Sequence, residues 1–133
     1  MGTAPPVGAD RPGIPVIVLL DKPPSTNSLF PTSEDGGRHV STRYRSWRAR
    51  QGNNFIAQRL RPMAGRVRLA VLVDEDSKVD LDNHLKAAID CLVHYRLIVD
   101  DSWKIVRGIS IDYGPIPNLH GVKMGAQITV TPV

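Results

Sequence analysis

The sequence predicts a single small α/β domain, a mixed β-sheet of about four strands with two helices. Three observations carry that expectation. Short β-branched runs and helix-period stretches follow one another as strand, helix, strand, helix, strand, strand. No internal repeat and no Gly-rich phosphate loop interrupts that order. The 133 residues, 41% hydrophobic and 23% charged, suit one core and leave no room for a second domain. Residues 1–13 mix Gly, Pro and Ala without the basic start and apolar run of a secretory signal, so they read as a flexible N-terminal tail ahead of a domain at 14–133.

Val16-Ile17-Val18-Leu19-Leu20 is apolar throughout and bounded by prolines, the pattern of an interior strand buried on both faces. Pro23-Pro24-Ser25-Thr26-Asn27 breaks it, and Ser28 to Arg38 is turn-rich, giving a mobile loop. Thr42 to Leu60 carries helix formers, with Tyr44, Trp47, Phe55, Ile56 and Leu60 as core contacts and Gly52-Asn53-Asn54 as poor helix material in its middle. From Arg66 to Val73, Val67, Leu69, Val71 and Val73 alternate with Arg66, Arg68, Ala70 and Leu72, a second strand.

Beyond a polar loop, Leu85, Ala88, Ile89, Leu92 and Val93 recur at helical spacing from Asp82 onward, with Asp80 or Asp82 placed to cap that helix. Ile105, Ile109 and Ile111 mark a third strand to Tyr113, and Gln127 to Val130 a fourth. The turn chemistry of Gly114-Pro115-Ile116-Pro117-Asn118 between them predicts an antiparallel hairpin.

Charge is unevenly laid down. A formal net charge of +4 is modest, but Gly36 to Val73 holds nine arginines and no acid, while eight of the 13 acids fall between Asp74 and Asp101. A basic half beside an acidic cluster suits a metal-dependent enzyme acting on a polyanion; a solvated helix face is the plainer reading. Cys91, the only cysteine, excludes an intramolecular disulfide and falls on the apolar helix, where a buried thiol is expected. An intracellular, cytoplasmic setting fits that cysteine usage, and no segment approaches membrane-span length. His39, His84, His94 and His120 lack the spacing of a zinc motif.

The carboxylates then stand out. Asp80 and Asp82 lie two apart at a loop-to-helix boundary, where extended backbone presents both to one side. Two neighbouring carboxylates repel unless a cation sits between them, and magnesium is the hard cation that oxygen ligands and phosphates share. The alternative is that one caps the helix and the other is solvated. Lys86 follows Asp82 by one helical turn, a spacing for an ordinary ion pair, or for an ammonium that steadies charge on a scissile phosphate. Asp90 reads as the structural partner of Lys86. Asp100-Asp101 reaches this group only if the chain doubles back after the helix.

The run from Asp80 to Asp90, with Val99-Asp100-Asp101 after it, resembles the signature of the RusA family of Holliday junction resolvases, as does Pro23-Pro24-Ser25-Thr26-Asn27 after the first strand. Tyr44 and Trp47 match that family's following helix, so the likeness spans most of Val16 to Val130. The resemblance implies a RusA-like fold and a homodimeric, magnesium-dependent crossover junction endonuclease that nicks opposing strands of a four-way DNA junction. Manganese would substitute for magnesium. Asp80, Asp82 and Asp101 match the metal-binding carboxylates and Lys86 the essential lysine; Asn83, Lys86, Arg43, Arg45 and Arg48 would contact DNA. One departure is Asp74-Glu75-Asp76, where well-known members carry arginines. A non-catalytic relative that binds branched DNA, and a structural or regulatory dimer, are the other readings.

Overall fold

The computed structural model describes residues 14–24, 42–78 and 80–133. The tail at 1–13 and the loop at 28–38 lie outside these, as do Ser25, Thr26 and Asn27. The order is β1 (Val16–Leu20), α1 (Thr42–Ala57), β2 (Val67–Asp74), α2 (Asp82–His94), β3 (Val106–Gly114) and β4 (Ala126–Pro132), as the sequence predicts. Among the described residues these form a four-stranded mixed sheet and two helices. None of the described helices is long and apolar enough to cross a membrane.

Period-two patterning builds the core. In β2, Val67, Leu69, Val71 and Val73 are buried while Arg68 and Ala70 are exposed. Across the ladder, Ala126, Ile128 and Val130 of β4 point the same way and pair with Leu20, Val18 and Val16 of β1. The helices cover this face with Tyr44, Trp47 and Phe55 from α1 and Ala88, Ile89, Cys91 and Leu92 from α2. A fully buried side chain of the size of Leu92 contributes about 2 kcal/mol.

The strand order, β1-β4-β2-β3, overturns two expectations. β4 does not form a hairpin with β3. It inserts between β1 and β2, antiparallel to both, and β3 pairs parallel with β2. The connection from β3 therefore passes beyond β2, turning at Leu119–Val122 with His120 and Gly121 both at positive φ. Among the described residues β1 is an edge strand rather than an interior one, and Ile17 is exposed. Its apolar run survives at an edge because Gln58 covers it: the amide oxygen accepts from Leu19 N at 2.7 Å and the amide nitrogen donates to Leu19 O at 2.9 Å. One side chain thus satisfies the edge groups that a neighbouring strand would take.

α1 runs through Gly52-Asn53-Asn54 without a break because tertiary contacts hold it there. Gln51 is fully buried and bonds Asp21 through both ends of its amide, while Tyr95 Oη donates to Arg48 O at 2.7 Å. Gly52 admits the Tyr95 ring, since a Cβ there would lie 2.7 Å from the phenol oxygen. Ile56, an expected core contact, is instead 77% exposed, on the flank of α1 away from the sheet.

Both helices stop in the same way. After α1, Arg59 N donates to Ile56 O and Leu60 N to Phe55 O; after α2, Arg96 N donates to Val93 O and Leu97 N to Leu92 O. These are Schellman motifs, with Arg59 at φ 56° and Arg96 at φ 60° in the left-handed position where glycine is usual. A residue with a Cβ costs about 1 kcal/mol there.

Candidate functional site

β2, α2 and β3 make a βαβ unit, and the loop from the carboxyl end of β2 delivers Asp80 and Asp82 to the start of α2. Crevices outside the carboxyl ends of parallel strands are where α/β sheets bind ligands. Leu81 already has helical conformation, and Asp82 begins the first turn of α2. Both carboxylates are exposed. The Asn83 side chain lies outside the described ones.

Lys86 pairs forward rather than back. Its Nζ lies 3.4 Å from Asp90 Oδ1, as expected of a structural partner, and 3.9 Å from Asp101 Oδ2. The doubling back that Asp101 needs is supplied by the Schellman turn at Arg96, which reverses the chain so that Leu97 and Ile98 bury against the core. Asp101 N is then held by Asp100 Oδ1 at 2.8 Å. Burial raises the Asp90 pKa above the ordinary carboxylate range, opposed by Lys86 and reinforced by Asp101. The structure therefore gathers Lys86, Asp90 and Asp101 along α2, with Asp80 and Asp82 at its N-terminal end.

Among the described residues no group of three or more His, Cys, Asp or Glu side chains is placed to hold a metal ion. The donors that are present suit a hard cation nonetheless. Asp80 and Asp82 offer exposed carboxylate oxygens, and magnesium is commonly bound through one or two carboxylates with water and phosphate completing its shell.

The arginines divide. Arg43 and Arg45 are exposed on α1, whereas Arg48 is half-buried with its guanidinium 5.3 Å from the centre of the Tyr44 ring. Arg48 also bears on Asp90 and Cys91, so it belongs to the α1–α2 seam. Arg50, not singled out from the sequence, lies on the other flank, 3.7 Å from Asp21 Oδ2. The acidic stretch that departs from the resolvase pattern is partly neutralised: Lys123 Nζ lies 3.3 Å from Asp74 Oδ2, and Asp76 N donates to Asp74 Oδ1. That backbone bond, with Lys123, lowers the Asp74 pKa.

Sequence reasoning gave Tyr44 a core place and His84 no zinc partners, but assigned neither to the neighbourhood of the carboxylates. Tyr44 sits on α1 near Asp90, and burial together with that carboxylate pushes its phenol up to about 12, so it stays protonated. His84 is buried two residues after Asp82, and among the described residues neither ring nitrogen has a hydrogen-bond partner of good geometry. Burial lowers its pKa; the Pro23 backbone beside it acts in the opposite direction, and Lys22 adds to the lowering. The helical position of His84 beside Leu85 gave no warning, because its cover comes from the chain after β1. Comparison with family models and with curated proteins returns no match.

Proposed function

We propose that this protein is a magnesium-dependent, structure-selective endonuclease that resolves four-way DNA junctions, working as a homodimer. The observation that carries the reading is the position of Asp80 and Asp82: exposed, beyond the carboxyl end of a parallel strand, at the N-terminal end of α2. The Asp80–Asp90 run with Asp101, and its resemblance to the RusA signature, supports the same reading. Asp80 and Asp82 would hold the ion, which when bound supplies a more acidic water and offsets phosphate charge. Lys86, one helical turn after Asp82 and paired with Asp90 and Asp101, would contact the scissile phosphate. A two-fold dimer would set one such site against each of two opposing strands.

A relative that binds branched DNA without cutting it is favoured by one specific feature, the engagement of Asp101 with Lys86 rather than with Asp80 and Asp82. Cleavage of a labelled four-way junction beside linear duplex, in magnesium, manganese or chelator, separates the two. The nuclease reading expects junction-selective paired nicks, lowered roughly 10²-fold or more in Asp82→Asn with binding retained. Equal cutting by Asp82→Asn would sink the metal-site assignment, and binding without nicks in either metal would establish the non-catalytic relative.

A further inference from the structure

We propose that the groove between the C-terminal ends of α1 and α2 docks a short acidic peptide segment of a partner protein carrying one or two large apolar side chains. Two clefts of about 610 Å³ and 530 Å³ adjoin at Pro62, which lines both. Their floor is core, with Phe55, Leu97 and Ile98 buried beneath. Their walls are apolar side chains left open to solvent: Ile56 is 77% exposed in one and Val99 60% exposed in the other. An exposed apolar strip of this kind marks an interaction surface more often than it marks idle surface.

The rim says what kind of partner fits. Arg59 lines the first cleft and Arg96 the second, and both are the left-handed residues of the two Schellman motifs. Glycine would end each helix without strain, yet the chain places an arginine at both, and both flank one groove. Strained non-glycine residues cluster at functional sites, and here the pair puts two guanidinium groups on fixed backbone beside an apolar trough. That combination is complementary to an acidic peptide that inserts aliphatic or aromatic side chains. Nucleic acid is served less well, because Phe55 is buried and Tyr95 is half-buried with its hydroxyl tied to Arg48 O, so the side chains open to solvent, Ile56 and Val99, are aliphatic. A second copy is also served less well: a two-fold contact pairs this surface with itself, and among the described residues neither cleft is lined by an acid to meet Arg59 or Arg96.

The inference is independent of the nuclease reading, since neither arginine belongs to the carboxylate cluster. The test uses the full chain and a fluorescein-labelled seven-residue peptide, Glu-Asp-Leu-Asp-Glu-Ile-Phe, against the same apolar pattern carrying lysines, followed by anisotropy. The acidic peptide is expected to bind at least tenfold more tightly than the basic one, and its binding to weaken with salt. Arg59→Gly combined with Arg96→Gly is expected to lower that affinity about tenfold while the thermal midpoint holds or rises, which a merely structural role for the arginines would not produce. Ile56→Glu should also abolish binding. Equal binding of the two peptides, or undiminished binding by the double glycine variant, overturns the proposal. Loss of four-way junction binding in that variant without an effect on the peptide would make the groove a DNA surface, and dimer dissociation in Ile56→Glu would make it a self-interface; either result overturns it too.

Discussion

Replacing Gln51 with leucine tests the contact that seats α1 on the edge of the sheet. The side chain is 0% exposed and makes four hydrogen bonds. Its oxygen accepts from Asp21 N at 3.0 Å and from Asn54 Nδ2 at 3.0 Å; its nitrogen donates to Asp21 Oδ2 at 2.9 Å and to Trp47 O at 3.2 Å. Three neutral bonds at about 1 kcal/mol each, and one to a carboxylate at about 2, put the gross loss near 5 kcal/mol. Burying a leucine of similar volume returns about 2 kcal/mol, so Gln51→Leu is expected to lose about 3 kcal/mol. With a urea slope near 2 kcal/mol/M, the unfolding midpoint falls by roughly 1.5 M. Trp47 fluorescence, four residues away, follows the transition alongside far-ultraviolet circular dichroism. A midpoint within about 0.3 M of the parent would show that water or apolar packing replaces the amide freely, and the account of how α1 is anchored would be wrong.

Cys91 is fully buried, and its pKa is pushed up to about 12 by burial, Asp90 adding to the rise and Arg48 opposing it. The native thiol is expected to resist Ellman's reagent at pH 8 and to react on unfolding in urea; rapid native labelling would refute its burial. The raised value also means that stability is intact below the unfolded thiol's pKa and declines as pH rises past it, a decline that Cys91→Ala should remove from pH-dependent denaturation curves between about pH 8 and 10. His84 has the opposite sign. Its folded-state pKa is depressed by burial, so its contribution is present above the ordinary histidine range and is lost as pH falls through the folded value. Stability measured at pH 7 and pH 5 should converge in His84→Leu, and an unchanged pH dependence would exclude His84 as its source.

Much of this protein is legible locally. The period-two pattern of Val67 to Val73 and the helical stripe through Leu85, Ile89 and Leu92 settle element type and inward face, because side-chain direction follows backbone period. The same logic placed Cys91 in the core and Asp90 beside Lys86. Strand neighbours are a different matter. Alternation in Ala126, Ile128 and Val130 says which side of β4 is buried and nothing about which strands lie beside it, so the turn residues at Gly114–Asn118 invited a hairpin that the sheet does not contain. The apolar run of β1 read as interior because its edge cover, Gln58, lies 39 residues away from Leu19.

The candidate site divides along the same line. By itself the sequence determined its inventory, the carboxylates at Asp80, Asp82, Asp90 and Asp101 and the spacing of Lys86 along one helix, since these depend only on residue identity and the 3.6-residue turn. Tertiary structure alone decided that Asp101 returns to Lys86, that Arg48 lies over Tyr44, and that Ile56 faces solvent. The return of Asp101 depends on a left-handed Arg96, a conformation that sequence statistics assign to glycine and that packing of Leu97 against the core enforces here. Such placements come from long-range packing energies that exceed local preference by a few kcal/mol, and no local window of sequence contains both partners.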